Sequence, residues 1–560
     1  MLQREAWRST GLPSTDGAGV YLPILMTPPA DGASPAPGTM GGQATRIAPS
    51  SGRIRLWLAL LVVVIAARLP ALAHPRAIDD EQIYSVAARE MLHGGRPYLD
   101  VVERKPPLLF VVYAAVLGAA GPRNWPALHF TAIAWTLATM AGLYLILRRR
   151  FDRETAAIAA LLYALYAMWA DYRSLALNGE LLMNLPIVLA ILVTFAPDRP
   201  RWRPELMLAG ALIGIAALLK QPAGIAGLAI GLYVLSPSYR RSRNLGLRDS
   251  LWHGFEQVLG VACVLALTGL VLWRMGILRE ALYWSVLDHR DPIGPGTMHY
   301  WRRTFPNTTF FLLETAPLCL GAAAAFIPSV ARKTWGRHPA ERWGLVLLLA
   351  VSILGVSVNG QFLYHYYLQL LPPLCLLAAP VFRLVLADPF ERTALLPGRR
   401  VLTAWLVLTF AVFTTVDTIG LWRNRRETAA GVWVREHSKP LDRLFVWGQG
   451  DRKLGMFLDA DRRPASRFIA PFPLTGHVFG GYPAEWGYAY EDRNQMSGAW
   501  DTLRLDFAAH PPRFIIDAEA VEHRTRYPIA RYPFLAQLVV TSYRVAARTP
   551  DGVVYERFVP

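Results

Sequence analysis

Long apolar runs separated by short basic loops constrain the fold of this sequence more than any other feature. The runs are about 15 to 25 residues long, the length that a helix needs to cross the hydrocarbon core of a bilayer. Hydrophobic residues make up 53% of the 560-residue chain, and its mean hydropathy is +0.26. A soluble protein of this size rarely carries that excess, so the sequence predicts a polytopic α-helical membrane protein.

The positive charge of the chain is interpreted as a topology signal. The net charge is +17, but the arginines lie in short loops between apolar runs, as they do in cytoplasmic loops under the positive-inside rule. This distribution argues against nucleic acid as a partner. The pattern predicts about 11 spans, with the N-terminus inside and the C-terminus outside. The predicted spans cover residues 56–73, 125–147, 156–170, 181–195, 206–219, 223–235, 251–276, 310–330, 345–358, 371–386 and 401–422.

One further apolar run, residues 106–121, is predicted not to cross the membrane. It has only about 15 residues and begins with two prolines, so it falls short of a comfortable span. If it crossed, the arginine cluster at 148–153 and every later basic loop would lie outside. We therefore expect a juxtamembrane helix along the outer interface.

The two ends of the chain differ in composition from the apolar middle. Residues 1–52 are rich in Pro, Gly, Ala, Ser and Thr and are predicted to be a disordered cytoplasmic tail, unless translation starts further downstream. Residues 53–423 are predicted to form the transmembrane domain. For residues 424–560 we predict a small periplasmic mixed α/β domain, with strands near 443–448, 513–517, 542–548 and 552–558 and one helix near 500–509.

Unusual polar residues gather in the loops that this topology places outside. The first outer loop, residues 74–105, opens with Asp79, Asp80 and Glu81 and closes with Arg104 and Lys105. Charges beside a bilayer are costly unless they do chemistry or lie in water. Later outer segments add Asp171, Arg173, Asn178, Glu180, Lys220, His365, Tyr366, Tyr367 and Gln369. This asymmetry predicts that any reaction takes place at the outer face.

Carboxylates and lysines together at a lipid surface suit one kind of group transfer. A carboxylate can accept the proton of an attacking hydroxyl, and a cation can neutralise the charge that builds on a phosphate leaving group. A phosphate on a lipid tail would approach from the membrane side, where Lys105 and Lys220 lie at helix ends. The pattern predicts sugar transfer from a polyprenyl-phosphate carrier to a hydroxyl. We expect desolvation at the interface to raise the pKa of the catalytic aspartate and make it a better base.

The first outer loop resembles that of the GT-C glycosyltransferases. It is most similar to the dolichyl-phosphate-mannose protein mannosyltransferase and aminoarabinose lipid A transferase group, glycosyltransferase family 39. The resemblance is strongest over residues 56–230 and weakens towards residue 422. It rests on Asp80-Glu81-Gln82-Ile83-Tyr84, Ala87-Ala88-Arg89-Glu90-Met91-Leu92, Gly95, Pro97-Tyr98 and Lys105-Pro106-Pro107-Leu108.

The resemblance implies roles for individual residues and inversion at the anomeric carbon. Asp80, with Glu81 beside it, corresponds to the loop-one aspartate that acts as base or positions the acceptor. Lys105 and Lys220 correspond to lysines that contact the lipid phosphate, and Arg104 is a third candidate for that contact. Further substrate-binding candidates are Asp79, Tyr84, Asn178, Glu180, His365 and Tyr366.

No cofactor follows from the pattern, and no metal ligand is predicted. The aminoarabinose transferases carry a metal-linked glutamate where this chain has Arg104, with Glu103 one position away. The sequence therefore leaves open whether a divalent metal binds. The three cysteines, Cys263, Cys319 and Cys375, each lie alone in an apolar run and are predicted to be packing residues.

Each group of candidates also has a structural interpretation. The carboxylates at 79–81 could cap a helix, and Asn178 and Glu180 could cap the next span. Lys105 and Lys220 could be interface residues whose charges reach the headgroups. The aromatic residues at 364–367 could belong to a belt at the headgroup level.

The alternative function is a transporter or flippase of lipid-linked sugars. Such a protein needs polar residues near the middle of its spans. The middles of the predicted spans are nearly free of charge, which favours transfer at one surface over passage through the bilayer.

Overall fold

Helices make up most of the structure. A computed structural model of the chain describes residues 51–168, 171–196, 204–288, 297–358, 362–387, 398–448, 453–476, 495–520 and 527–558. Of the tail predicted over residues 1–52, residues 1–50 lie outside the described part of the chain. The last two residues, 51 and 52, belong to the first helix, which begins at Ser51. The helices up to residue 424 are α1 (Ser51–Ala73), α2 (Asp79–Leu92), α3 (Pro107–Ala120), α4 (Trp125–Arg148), α5 (Arg153–Tyr166), α6 (Gly179–Thr194), α7 (Pro204–Leu219), α8 (Ile225–Leu235), α9 (Pro237–Ser242), α10 (Leu247–Arg274), α11 (Leu278–Leu282), α12 (Thr297–Glu314), α13 (Ala316–Ala324), α14 (Pro328–Trp335), α15 (Pro339–Ser357), α16 (Leu371–Ala387) and α17 (Gly398–Asn424). Short 3-10 turns at Tyr172–Leu175, Gln221–Gly224 and Tyr364–Leu370 precede α6, α8 and α16.

The chain is a polytopic membrane protein. Among the described residues, six helical segments are long and apolar enough to cross a bilayer: α1, α4, α10, α15, α17, and α16 with the turn before it. Helices α3, α6, α7 and α8 are apolar but shorter, so the total of about 11 spans stays a prediction, as does the juxtamembrane position of α3. The predicted span over residues 310–330 is not one continuous helix: α12 ends at Glu314, and two short helices, α13 and α14, follow. Its crossing of the membrane stays a prediction.

Two glycines set the closest helix contact of the bundle. Gly210 on α7 and Gly260 on α10 lie where a β-carbon would overlap the backbone of the opposite helix, at Gln257 and Met207 respectively. Small residues at such crossings let two helix backbones approach directly, which is how apolar helices associate where burial from water cannot drive packing. This contact fixes the position of α7, and therefore the position of Lys220, which directly follows it.

A five-stranded sheet forms the C-terminal part of the described chain. Strand β3 (Phe514–Asp517) lies at the centre of the sheet. It pairs in parallel with β1 (Arg443–Trp447), which is also parallel to β2 (Arg463–Pro464). On its other side β3 pairs antiparallel with β5 (Gly552–Arg557), which pairs antiparallel with β4 (Tyr543–Thr549), giving the order β2-β1-β3-β5-β4. The elements are α18 (Ala429–His437), β1 (Arg443–Trp447), α19 (Gly455–Ala460), β2 (Arg463–Pro464), α20 (Phe472–Thr475), α21 (Ala499–Ala509), β3 (Phe514–Asp517), α22 (Pro533–Ser542), β4 (Tyr543–Thr549) and β5 (Gly552–Arg557).

The strand predictions agree with the structure, and the helix prediction was incomplete. All four predicted strands are present, and the predicted helix near 500–509 is α21. Helices α18, α19, α20 and α22 and the two-residue strand β2 were not predicted. Residues 51–560 pack as one compact unit, so a domain boundary after residue 423 stays a prediction.

Ion pairs join helix α2 and its flanking residues to the sheet region. Glu90 on α2 accepts two hydrogen bonds from Arg463 on β2, with Nη2 2.6 Å from Oε2 and Nε 3.1 Å from Oε1. Arg89, one residue earlier, pairs with Asp461. Arg76, ahead of α2, pairs with both Glu427 and Asp459. The sheet therefore holds the helix that opens the first outer loop.

We expect the Glu90–Arg463 contact to contribute measurably to stability. The Glu90 side chain is only 7% exposed, and a forked contact between a guanidinium and a carboxylate is among the stronger polar interactions. A double-mutant cycle of Glu90→Gln and Arg463→Gln should give a coupling free energy of about 1–3 kcal/mol in thermal unfolding. The matched control is the exposed Asp501–Arg504 pair, for which about 0.5 kcal/mol or less is expected. Equal couplings for the two pairs would contradict the prediction.

Candidate active site

Four side chains from distant parts of the chain meet at one place. Asp80 is in the first turn of α2, Glu180 in the first turn of α6, Lys220 directly after α7, and His365 in the 3-10 turn before α16. Glu180 Oε1 lies 2.6 Å from Lys220 Nζ and 3.8 Å from His365 Nε2. His365 Nε2 lies 3.5 Å from Asp80 Oδ2. We call these four residues, all of them predicted site residues, the acid–base cluster.

The Glu180–Lys220 ion pair is the most deeply buried part of the acid–base cluster. The two side chains are 2% and 7% exposed, and Lys220 Nζ also lies 4.6 Å from the centre of the Tyr366 ring. A β-carbon at Gly179 would lie 2.9 Å from the Leu219 carbonyl oxygen and 3.1 Å from Lys220 Cδ. Glycine at this position therefore lets the start of α6 approach the end of α7, which brings the carboxylate and the ammonium together.

Asp80 is the more accessible carboxylate of the cluster, with 27% of its side chain exposed. Burial pushes its pKa upward, but the charges of His365, Lys105 and Lys220 outweigh burial, and the pKa lies below its usual value. The expectation of a raised pKa was wrong, because it counted desolvation and not the cations that the fold brings close. Asp80 is therefore ionised at neutral pH and ready to accept a hydrogen bond or a proton.

Lys105 lies at the edge of the acid–base cluster. Its charge acts on both Asp80 and Glu180, its side chain is partly exposed, and no carboxylate of the described residues lies within ion-pair distance of it. Its carbonyl oxygen accepts a 2.7 Å hydrogen bond from the Tyr98 hydroxyl, which fixes the end of the first outer loop. Of the two predicted lysines, Lys105 is thus the one whose ammonium is available to an incoming anion.

Glu81 points away from the cluster despite its position next to Asp80. Its Oε1 accepts a 2.7 Å hydrogen bond from the Leu177 N–H, and its Oε2 lies 3.5 Å from His129 Nε2. Burial raises the pKa of Glu81 more than His129 and the Leu177 N–H lower it. These contacts join α2 to α4 and to the segment before α6, which suits a residue that positions its neighbour.

Arg104, predicted to bind phosphate, contacts the C-terminal region instead. Its guanidinium lies 4.4 Å from the centre of the Phe472 ring and its Nε 3.9 Å from Asp288 Oδ2. Its carbonyl oxygen accepts a 2.7 Å hydrogen bond from Gln221 Nε2. The residue therefore connects the first outer loop to the segment after α7 and to α20.

The three remaining predicted residues have the following places in the fold. Asn178 caps α6, accepting a 2.8 Å hydrogen bond from the Leu181 N–H, as the structural interpretation proposed. Tyr84 is buried, with its ring edge-on to Tyr113 at a centroid distance of 5.4 Å. Asp79 is the first residue of α2, after Ile78, which makes no side-chain cap.

The aromatic residues near His365 are buried rather than arranged as a belt. His365, Tyr366 and Tyr367 are 3–7% exposed, and the Tyr367 hydroxyl lies 2.7 Å from Thr308 Oγ1 on α12. Residues of an aromatic belt would present their rings at the outer surface. The turn at 364–370 is instead part of the interior that surrounds the acid–base cluster.

Sequence reasoning noted Asp171 and Arg173 in the second outer segment but did not choose them as site residues. Asp171 Oδ1 accepts a 2.9 Å hydrogen bond from the Arg173 N–H, and burial raises the pKa of Asp171. The charge of Asp171 acts on His365, and that of Arg173 on Asp80. The available signal was their spacing, because both lie within ten residues of Glu180 in the same predicted outer segment.

The donor set of the cluster does not suit a divalent metal ion. Within the described residues, no group of three or more His, Cys, Asp or Glu side chains is arranged to hold one. The carboxylates of Asp80 and Glu180 face the cations Lys105 and Lys220 and the ring of His365. A hard cation prefers several oxygen ligands, which this arrangement of charges does not supply.

Comparison with known proteins identifies the fold. Residues 104–271 match the family model described as dolichyl-phosphate-mannose-protein mannosyltransferase. The structure is similar to that of ArnT from Cupriavidus metallidurans in the apo state, with a TM-score of 0.56 and 14% identity over 90% of this chain and 97% of that chain. The same protein bound to undecaprenyl phosphate gives 0.56 and 16%, over 90% and 98% of the two chains.

A more distant likeness extends to a larger protein. The oligosaccharyltransferase of Archaeoglobus fulgidus in its apo form has a TM-score of 0.54 and 13% identity, over 84% of this chain and 70% of that chain. No curated protein sequence matches this chain.

The comparisons define the fold class of this protein: it has the fold of the GT-C membrane glycosyltransferases. The matched segment begins at Arg104, within the loop that carries the cluster, and extends to α10. Within the class, the chain is similar to the family 39 group, as the motifs of the first outer loop indicated.

Proposed function

We propose that this protein transfers a sugar from a polyprenyl-phosphate carrier to an acceptor hydroxyl at the extracytoplasmic face of the plasma (inner) membrane. One observation carries the proposal: an accessible carboxylate, Asp80, lies beside His365 and a buried Glu180–Lys220 pair, with the Lys105 charge close by. A proton acceptor and a partner for phosphate are thus within reach of the same bound substrate.

In the proposed mechanism the acceptor hydroxyl attacks the anomeric carbon as Asp80 takes its proton. The bond between the anomeric carbon and the phosphate oxygen breaks, and the electron pair stays on the phosphate. Lys105 neutralises the charge on that phosphate, while Glu180 holds the Lys220 ammonium in place beside Asp80. Direct displacement of this kind inverts the configuration at the anomeric carbon.

A polyprenyl carrier is supported by the fold, since a protein of the same fold has been observed with undecaprenyl phosphate. The proposed acceptor is a hydroxyl of a protein, lipid A, a cell-wall glycan or another lipid. We propose that the segment at 277–304 and residues 424–560 select it, because Arg104 joins α20 and Asp288 to the loop that carries Asp80.

The test is transfer by the full-length protein in proteoliposomes that contain a radiolabelled polyprenyl-phosphate sugar and a mixture of acceptors. We expect label to move from the carrier to an acceptor and the product linkage to have the opposite anomeric configuration. Movement of labelled carrier between leaflets without transfer would favour the flippase instead. A product linkage with retained anomeric configuration would still support a transferase but would contradict direct displacement.

A further inference from the structure

We propose that His365 is the second proton acceptor of the transfer reaction, taking from Asp80 the proton that the acceptor hydroxyl releases. This inference rests on the proposed function and adds a step to it. Asp80 and His365 would then act as a dyad, with the aspartate facing the substrate and the imidazole behind it.

The geometry of His365 suits this step. Its Nε2 lies 3.5 Å from Asp80 Oδ2, a separation that a small movement on substrate binding would shorten to a hydrogen bond. The His365 side chain is 8% exposed against 27% for Asp80, so the aspartate lies between the imidazole and the outside. The Tyr366 ring, edge-on at a centroid distance of 4.8 Å, holds the imidazole in this orientation.

The charges around His365 come from every element that packs against its turn. Helix α2 brings Asp80, α6 brings Glu180, and the turn at 172–175 brings Arg173 with Asp171 at its start. Glu314, at the end of α12, acts electrostatically on Tyr364 of the same turn. Lys105 and Lys220 act on the Glu180 carboxylate. Helix α15 approaches the turn at Gly355, next to the Gln369 side chain. Carboxylates from α2, α6 and the start of the turn at 172–175 therefore lie near the ring, together with the cations Arg173, Lys105 and Lys220.

The dyad answers a chemical difficulty of the single aspartate. A carboxylate is a weak base towards a hydroxyl, so a proton on Asp80 returns to the attacking oxygen unless a second group removes it. Passing it to Nε2 of His365 keeps the balance: the acceptor loses a proton, the imidazole gains it, and Asp80 is again an anion. Histidine is the side chain whose ordinary pKa makes it a proton acceptor near neutral pH.

The experiment is the pH dependence of the initial transfer rate in proteoliposomes, at saturating carrier and acceptor. The phosphodiester donor and the acceptor hydroxyl do not titrate between pH 5 and 8, so a rise of kcat over this range reports on the protein. For the wild type we expect kcat to rise with pH over this range, because the imidazole must be neutral to accept the proton. His365→Gln should lower kcat by about 10²–10³-fold and flatten the profile above pH 5, because Asp80 then acts alone.

The matched control is His93→Gln, since His93 is an exposed histidine at the end of the same helix α2. Its rate and profile should equal those of the wild type. A rise that persists in His365→Gln overturns the dyad, and so does a flat wild-type profile, which decides the matter even if the variant does not fold. If the wild type transfers no sugar, the proposed function itself fails, whereas transfer with an unshifted profile removes only the role of His365.

Discussion

Replacement of Asp80 by asparagine is expected to lower kcat for sugar transfer by about 10³-fold or more. The amide has the shape of the carboxylate but cannot take a proton. Asp80 is partly exposed, so the variant should fold and still bind the carrier. The measurement is transfer of label in proteoliposomes, with carrier binding followed separately.

The control for this variant is Asp100→Asn. Asp100 lies in the same outer loop, and its carboxylate contacts only the neighbouring Arg96 among the described residues. We expect near wild-type transfer from it. Asp79→Asn is a second comparison, because the sequence has two adjacent aspartates. A greater loss of transfer from Asp79→Asn than from Asp80→Asn would show that the base is Asp79 and not Asp80.

The largest effect on stability is expected from Lys220→Met. The ammonium of Lys220 is 2.6 Å from Glu180 Oε1, and both side chains are nearly inaccessible. Removing one partner of a buried ion pair leaves an uncompensated charge, which typically costs about 3–5 kcal/mol. We expect a matching fall in the free energy of unfolding, measured by thermal or denaturant unfolding in detergent micelles.

Two further variants separate the charge effect from loss of packing. Lys220→Met combined with Glu180→Leu should regain most of the stability, because an apolar pair of similar volume often replaces a buried ion pair without loss. Lys105→Met should retain stability and lose transfer, since its ammonium has no ion-pair partner within the described residues. If the double variant were as unstable as Lys220→Met alone, packing rather than charge would explain the loss.

The local parts of this fold could be predicted from sequence, and the contacts between them could not. Long apolar runs predicted the helices around α4 and α10, and short apolar runs predicted strands β1 and β3. The first outer loop stood out because charges there are costly without a purpose. The prediction over residues 310–330 did not use one available signal: Pro317 and Pro328 lie in the first turns of α13 and α14, where proline is typical of a helix start.

The chemistry of the site depended on pairings that only the three-dimensional structure determines. Glu180 was one of several outer carboxylates until the approach of α6 and α7 at Gly179 brought it against Lys220. The direction of the Asp80 pKa shift was wrong for the same reason, since His365 comes from a segment far away in sequence. Composition gives the number of charges but not which of them are neighbours.

The docking of α2 on the sheet limits how this protein can be cut or recombined. Glu90 and Arg89 meet their counter-charges on residues after 460, so a chain truncated after α17 would leave those charges unpaired on the helix that carries Asp80. A chimera that borrowed the C-terminal region of a relative would need that relative's α2 as well. Exchange of acceptor preference between such proteins should therefore succeed only when both segments are transplanted as a unit.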